Sequence, residues 1–257
     1  MFLYYDIGVN LFCEQFHDPE AILQGAADAG VGCILTGSDM PENEAIVRFL
    51  PEHAAWGTCG IHPHGADRAR EEDFTRIEEI VSTVPGIVAV GECGLDYNRM
   101  FSAKENQLSC LARHIEIAER TGMPMFLHER DAAEDFARSF AGHPEICRRS
   151  VVHCFTGDRR TLETYLEMGF SIGITGWITD NRRADELRDA VQILPPDRVL
   201  LETDCPYLRP RGFKGLPRVN VPENVKYVAQ SLAGYMGISE EALLTHAREN
   251  TERLFGL

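Results

Sequence analysis

Five short apolar runs in this chain each stop at residues able to ligate a metal or move a proton. They read Gly-Ile-His62-Pro-His64, Gly-Glu92-Cys-Gly-Leu-Asp96-Tyr97, Leu-His128-Glu129-Arg130-Asp131, Val-His153-Cys-Phe-Thr-Gly and Leu-Glu202-Thr-Asp204-Cys-Pro. One histidine at the end of such a run is ordinarily a structural residue. Five runs ending alike require a common cause. Carboxylates gathered in one buried place repel each other, and a divalent cation is the least costly way to hold Glu92 and Asp204 together. His128 and His153 complete a mixed nitrogen and oxygen donor set. Such a set suits Zn²⁺, Mn²⁺ or Ni²⁺, and Mg²⁺ where oxygen ligands dominate.

These residues need elements that deliver them to one place. Runs rich in β-branched and aromatic residues predict strands at 2–8, 31–36, 55–61, 87–91, 124–128, 150–154, 170–174 and 199–203. Amphipathic segments at 19–29, 72–84, 103–121, 159–168 and 183–194 alternate with them, and two further helices, 222–236 and 239–254, close the chain. In 103–121, Leu108, Leu111, Ile115 and Ala118 fall at helical spacing. Eight strand–helix units in 257 residues is about 32 residues per unit, the size of one repeat of a (β/α)8 barrel. The rival, an open doubly wound sheet, carries a Gly-rich phosphate loop after its first strand. Here the first strand leads into Asp-Ile-Gly-Val-Asn instead. The barrel is the better reading, and barrel strands present their C-terminal ends on one face.

Composition narrows the partners. With 25 Lys and Arg against 40 Asp and Glu, the formal charge is −15. Holding long duplex nucleic acid by counterion release needs clustered cations, which this balance disfavours. A substrate whose phosphates meet a metal and a few local cations remains compatible. Residues 205–220 are such a local exception, with Arg209, Arg211, Lys214, Arg218 and no acid; they read as a solvated loop or as a phosphate rail. No stretch approaches the roughly 18 apolar residues of a membrane helix. The segment 1–10 lacks the basic start of a signal peptide and reads as a strand, so a cytoplasmic location is expected. The eight cysteines show no Cys-x-x-Cys pair and read as buried fillers. His17, His53, His114, His143 and His246 read as surface or packing residues, as do the tryptophans, although Trp177 is placed to line a pocket mouth.

Together the motifs DIGVNL (6–11), GIHPH (60–64), GECGLDY (91–97), His128 with Arg130 and Asp131, HCFTG (153–157), IGITGW (172–177), LETDCPYLRP (201–210) and the closing Asn250, Leu254, Phe255 and Gly256 carry a resemblance. In this order, across nearly the whole chain, they resemble the TatD-family metal-dependent hydrolases, most closely the TatD-proper branch. The resemblance implies an α/β fold, a (β/α)8 TIM barrel of the metallo-dependent hydrolase type, as one domain over 1–257. It implies a divalent-metal-dependent phosphodiesterase acting on DNA, a 3′→5′ exodeoxyribonuclease. Glu92 would be a metal ligand able to bridge two metals. His128 and His153 would bind one metal, with Asp204 at the other metal or at the attacking water as the base. His62 and His64 would lie at the substrate-facing edge and Arg130 near the phosphate. The implied cofactor is a divalent cation, Mg²⁺ ahead of Mn²⁺ or Zn²⁺, in one tight site and a weaker second one. The implied partner is DNA with single-stranded or frayed 3′ ends, with no membrane and no obligate protein partner.

Two departures bear on this. Many relatives open with Asp-x-His-x-His, where this chain has Asp6-Ile-Gly8-Val-Asn10, so two second-metal histidines are absent. Where relatives often show Asn-Glu-Pro, this chain has Asn220-Val221-Pro222-Glu223. The alternative reading, a hydrolase of small esters, lactones or cyclic amides, would want those two histidines or a carboxylated lysine at the bridging position.

Overall fold

The computed structural model describes residues 2–257; Met1, the first residue of the segment read as a strand, lies outside them. Eight strands are present: β1 (Tyr4–Val9), β2 (Val31–Leu35), β3 (Trp56–Cys59), β4 (Ile87–Asp96), β5 (Met125–Arg130), β6 (Val151–Val152), β7 (Ser171–Ile174) and β8 (Val199–Leu201). They form one sheet in sequence order. Helices fill the connections, giving the (β/α)8 barrel anticipated from the alternation. Among the described residues, no helix is long and apolar enough to cross a membrane.

The chain divides into two compact units. The first comprises Met1–Leu35, Cys154–Thr164 and Ile172–Leu257. In it β1 pairs parallel with β2, Tyr4 opposite Val31, and β7 with β8, Ile172 opposite Val199. Val9 also bridges to Cys205, just past β8. Its core is the buried set Ile7, Val9, Ile34, Ile174, Leu200 and Leu232. Inside it, Asp6 is fully buried and accepts hydrogen bonds from the backbone N–H groups of Thr203 (2.8 Å) and Gly8 (3.2 Å). Burial pushes its carboxyl up to about 8, so the protonated form persists at neutral pH and ties β1 to the segment after β8.

The second unit comprises Thr36–His153 and Tyr165–Ser171. Here β3 to β6 pair in parallel. A cluster of Phe136, Phe140, Tyr165 and Phe170 fills its core, with ring centroids 5.0 to 6.0 Å apart. Buried Asn43, on the helix Met40–Phe49, brackets the turn after β3: its Nδ2 donates to Gly60 O (2.9 Å) and its Oδ1 accepts from Gly60 N–H (3.2 Å).

Differences from the sequence reading have local causes. β4 does not stop at 91 but runs on to Asp96, because residues 93–96 keep pairing with β5 from Leu127 to Arg130. β6 is only two residues long. Helices at Met40–Phe49, Ala133–Phe140 and Pro144–Arg148 occupy connections where the sequence reading names none, and 183–194 breaks into the short helix Asp185–Ala190 and a 3-10 turn at Val191–Ile193.

Candidate active site

Glu92 sits inside β4, and its position is fixed by backbone contacts before any side chain acts. Its N–H donates to Gly37 O at 2.8 Å. Gly91 and Gly94 on either side have φ of +139° and +149°, open to glycine alone. A Cβ at Gly94 would lie 1.9 Å from His128 O, so β5 can approach β4 only because no side chain stands there. That approach sets His128 opposite Gly94 and Arg130 opposite Asp96. His62 follows β3, with its N–H on Ser38 O (2.8 Å), while Ile61 N–H donates to Nε2 of fully buried His114 (3.1 Å). His114 is thus a packing residue that shapes the His62 turn. His153 is held by its N–H to Leu127 O (2.9 Å) and stacks on Phe126.

These elements bring three imidazoles onto one carboxylate oxygen. Glu92 Oε1 lies 2.8 Å from His153 Nε2, 3.1 Å from His128 Nδ1 and 3.3 Å from His62 Nε2. The ligand atoms of His62, Glu92 and His128 all fall within 4.8 Å of one another. His62, expected at the substrate edge, therefore stands in the cluster itself. Burial pushes the Glu92 carboxyl up, but the His62 and His153 imidazoles and the hydrogen bonds of His128 and His153 outweigh it and hold it well below the usual carboxylate range. Burial lowers the His62 imidazole to about 4, leaving a neutral nitrogen lone pair at neutral pH.

Asp96 belongs to this group and had been given no role from sequence. It is 3% exposed. Its Oδ1 accepts from Asn98 and Arg99 N–H (2.9 and 2.8 Å), and its Oδ2 pairs with His64 Nε2 at 2.7 Å. His128 Nε2 lies 3.4 Å from the same oxygen without hydrogen-bond alignment. The only sequence signal was its place in the Gly-Leu-Asp run. His64 touches His62 on one side (4.1 Å between rings) and Phe101 on the other (4.7 Å), and Phe101 is 64% exposed. Arg130 ends β5 with its Nε 3.9 Å from Asp131 Oδ1.

Asp204 and its neighbours belong to the other unit. Asp204 has φ of +52°, and its Oδ1 accepts from Asn10 Nδ2 (2.9 Å), which also donates to Cys205 O (3.1 Å). Asn10 so serves as a donor that orients Asp204. Fully buried Glu202 accepts from Cys154 N–H through Oε1, and its Oε2 lies 2.6 Å from where a Cβ on Gly8 would stand. Glu223 points at the helix Pro19–Asp28, its Oε1 2.7 Å from a Cβ placed on Gly25. Asn220 holds the 203–207 segment through Thr203 O and Tyr207 O.

A family model described as "TatD related DNase" matches residues 5–256. The chain belongs to the TatD family. It is similar to the "3'-5' ssDNA/RNA exonuclease TatD" of Rahnella sp. (strain Y9602), 39% identical over 98% of each chain. The protein of the same name in Erwinia billingiae (strain Eb661) is 40% identical, over 98% of this chain and 99% of that one. Among solved structures, the TatD homologue YJJV of Escherichia coli K12 superposes with a TM-score of 0.89 at 28% identity, covering 99% of this chain and 98% of that one.

The TatD fold implies a divalent metal, and the residues fit one. His128 Nε2 is buried without a hydrogen-bond partner, in reach of a carboxylate, and three neutral-capable imidazoles surround Glu92. Asp96 holds His64 by a hydrogen bond and stands 3.4 Å from His128. Asp96→Asn is expected to weaken metal binding about 10- to 100-fold, the usual cost of losing a supporting carboxylate. Equilibrium dialysis of the folded variant against Mn²⁺ would check it; unchanged affinity would return Asp96 to a purely structural role.

Proposed function

We propose that this TatD-family chain is a divalent-metal-dependent 3′→5′ exonuclease that hydrolyses phosphodiester bonds at single-stranded or frayed 3′ DNA ends. The observation that carries the reading is the Glu92 carboxylate ringed by His62, His128 and His153. Glu92, His128 and His153, with Asp204, would hold the metal, of which Mg²⁺ is the preferred form. A bound divalent cation supplies positive charge opposite the reacting phosphoryl group. The protein's own residues do the rest. Asp204, oriented by Asn10, takes the proton from the attacking water. His64, 34% exposed at its side chain and backed by Asp96, delivers a proton to the leaving 3′-oxygen. Arg130 meets a non-bridging phosphate oxygen, and the exposed Phe101 ring offers a stacking face to the terminal base. The protein works in the cytoplasm and needs no protein partner.

Single-stranded DNA labelled at either end, incubated with Mg²⁺, should shorten one nucleotide at a time from the 3′ end. RNA, duplex DNA, a lactone and a phosphomonoester form the comparison set. Lactone turnover without nucleolysis would overturn the reading. A second, weaker metal is also proposed, since Gly8 offers no side chain and Asn10 offers at best one carbonyl oxygen where two histidines would stand. Activity is then expected to keep rising with free Mg²⁺ well after the first equivalent is bound. A titration in which activity saturates with that first equivalent would leave a single metal.

A further inference from the structure

Between the turn after β7 and the segment after β8, in the first unit, lies an open cleft of about 320 Å³ whose lining includes Trp177, Asp180, Arg183, Arg209 and Arg211. Asp180, only 2% exposed, is surrounded by guanidiniums. Its Oδ2 lies 2.8 Å from Arg182 Nη2, 3.2 Å from Arg183 Nη2 and 3.2 Å from Arg211 Nε, and its Oδ1 accepts from Arg182 Nε at 3.0 Å. Three guanidiniums thus face one carboxylate, a local surplus of two positive charges, and Arg209 lines the same cleft, in a chain whose formal charge is −15.

The arrangement is pre-set. Arg211 N–H donates to Thr179 Oγ1 (2.7 Å), and Gly176 passes so close to Leu208 O that a Cβ there would stand 2.1 Å away. The Arg183 guanidinium lies 4.0 Å above the Trp177 ring. Held flat by the ring and tethered by Asp180, it still leaves half its side chain open to solvent, as do Arg182 and Arg211. Like charges gathered this tightly repel. An anion that accepts from the outward guanidinium edges removes that cost, and phosphate oxygens match the guanidinium fork.

We infer that this cleft is a second nucleic-acid subsite, binding backbone phosphates of a single strand. The inference rests on the nuclease reading and extends it to how a strand is held beyond its terminal residue. It also redraws the basic segment seen in the sequence. Arg209 and Arg211 line the cleft, but Lys214 and Arg218 do not; Arg183, from a different loop, joins them, and Arg182 beside it pairs with Asp180.

The test is fluorescence-anisotropy binding of a labelled oligothymidylate to the whole chain in EDTA, across a salt series. Each phosphate contact adds about 0.7 to the slope of log affinity against log salt for a single strand. Arg183→Ala with Arg211→Ala should weaken binding about tenfold or more and lower that slope by about 1.4. Arg183→Lys, which keeps the charge and loses the flat stacked fork, should fall between. Arg120→Ala, which removes an exposed cation paired to Glu78 in the other unit, should leave the slope as it was. An unchanged slope in the double variant, or an equal fall in Arg120→Ala, overturns the inference even if the enzyme cleaves DNA. Binding through the cleft by a protein that hydrolyses no nucleic acid would instead overturn the catalytic reading and uphold the subsite.

Discussion

A His128→Ala, His153→Ala variant is expected to lose its tightly held divalent cation and on the order of 10³-fold in turnover, equivalent to several kcal/mol of lost transition-state stabilisation. The geometry gives the reason. Both imidazoles face the same oxygen of Glu92, at 3.1 and 2.8 Å, and their loss leaves His62 as the one nitrogen donor beside it. The fold should survive, because β5 and β6 are held by ladder hydrogen bonds and by apolar residues such as Phe126 and Val152 rather than by the histidines. A modest drop in stability is still expected, since the nearly buried Glu92 is left with fewer partners, at about 1–3 kcal/mol. Metal content per folded chain, read by atomic emission with a thermal melt beside it, checks both halves. Wild-type metal content in the variant would move the tight site elsewhere.

The second large effect concerns a residue with no side chain. Gly94→Ala is expected to cost about 4 kcal/mol or to prevent folding. Its φ of +149° is one that an alanine rarely adopts, and its new methyl would stand 1.9 Å from the carbonyl oxygen of His128. Relief requires β4 and β5 to separate where they carry Glu92 and His128. A urea unfolding midpoint measures the loss, and any folded fraction should bind metal more weakly. Near-native stability in Gly94→Ala would mean that the strands have slack which this register does not reveal.

The parts of this molecule readable from sequence are those whose signal is local. His62, Glu92, His128 and His153 each interrupt an apolar run, so the pattern of the sequence marks them, although Glu92 and His128 lie within β4 and β5 rather than at their ends. The eight-fold alternation did the same for the barrel. Less legible were features made by residues far apart in the chain. The sequence pattern ends β4 at 91, because Glu92-Cys93-Gly94 breaks the apolar run, whereas pairing with β5 carries the strand to Asp96. Asp96 looked like one more acid, since His64 and His128 reach it only when three strands are aligned. Asp180 and its arginines come from two loops, and no spacing rule joins residue 182 to residue 211. Asp204 is marked both by its place after an apolar run and by the resemblance, and the structure adds its hydrogen bond with Asn10, 194 residues away.

The space beside Gly8 shapes which mutational histories are open to this protein. The Glu202 carboxylate occupies the volume that any side chain at position 8 would enter, 2.6 Å from its first carbon. It is itself buried and committed to the Cys154 amide. A lineage acquiring a first-strand histidine at Gly8 in one step would have to displace that buried carboxylate, at a cost in stability set against any gain in metal affinity. The same change on a background where residue 202 has already shrunk meets no such obstacle. The order of the two substitutions then matters, because the space at Gly8 and the side chain at position 202 are shared.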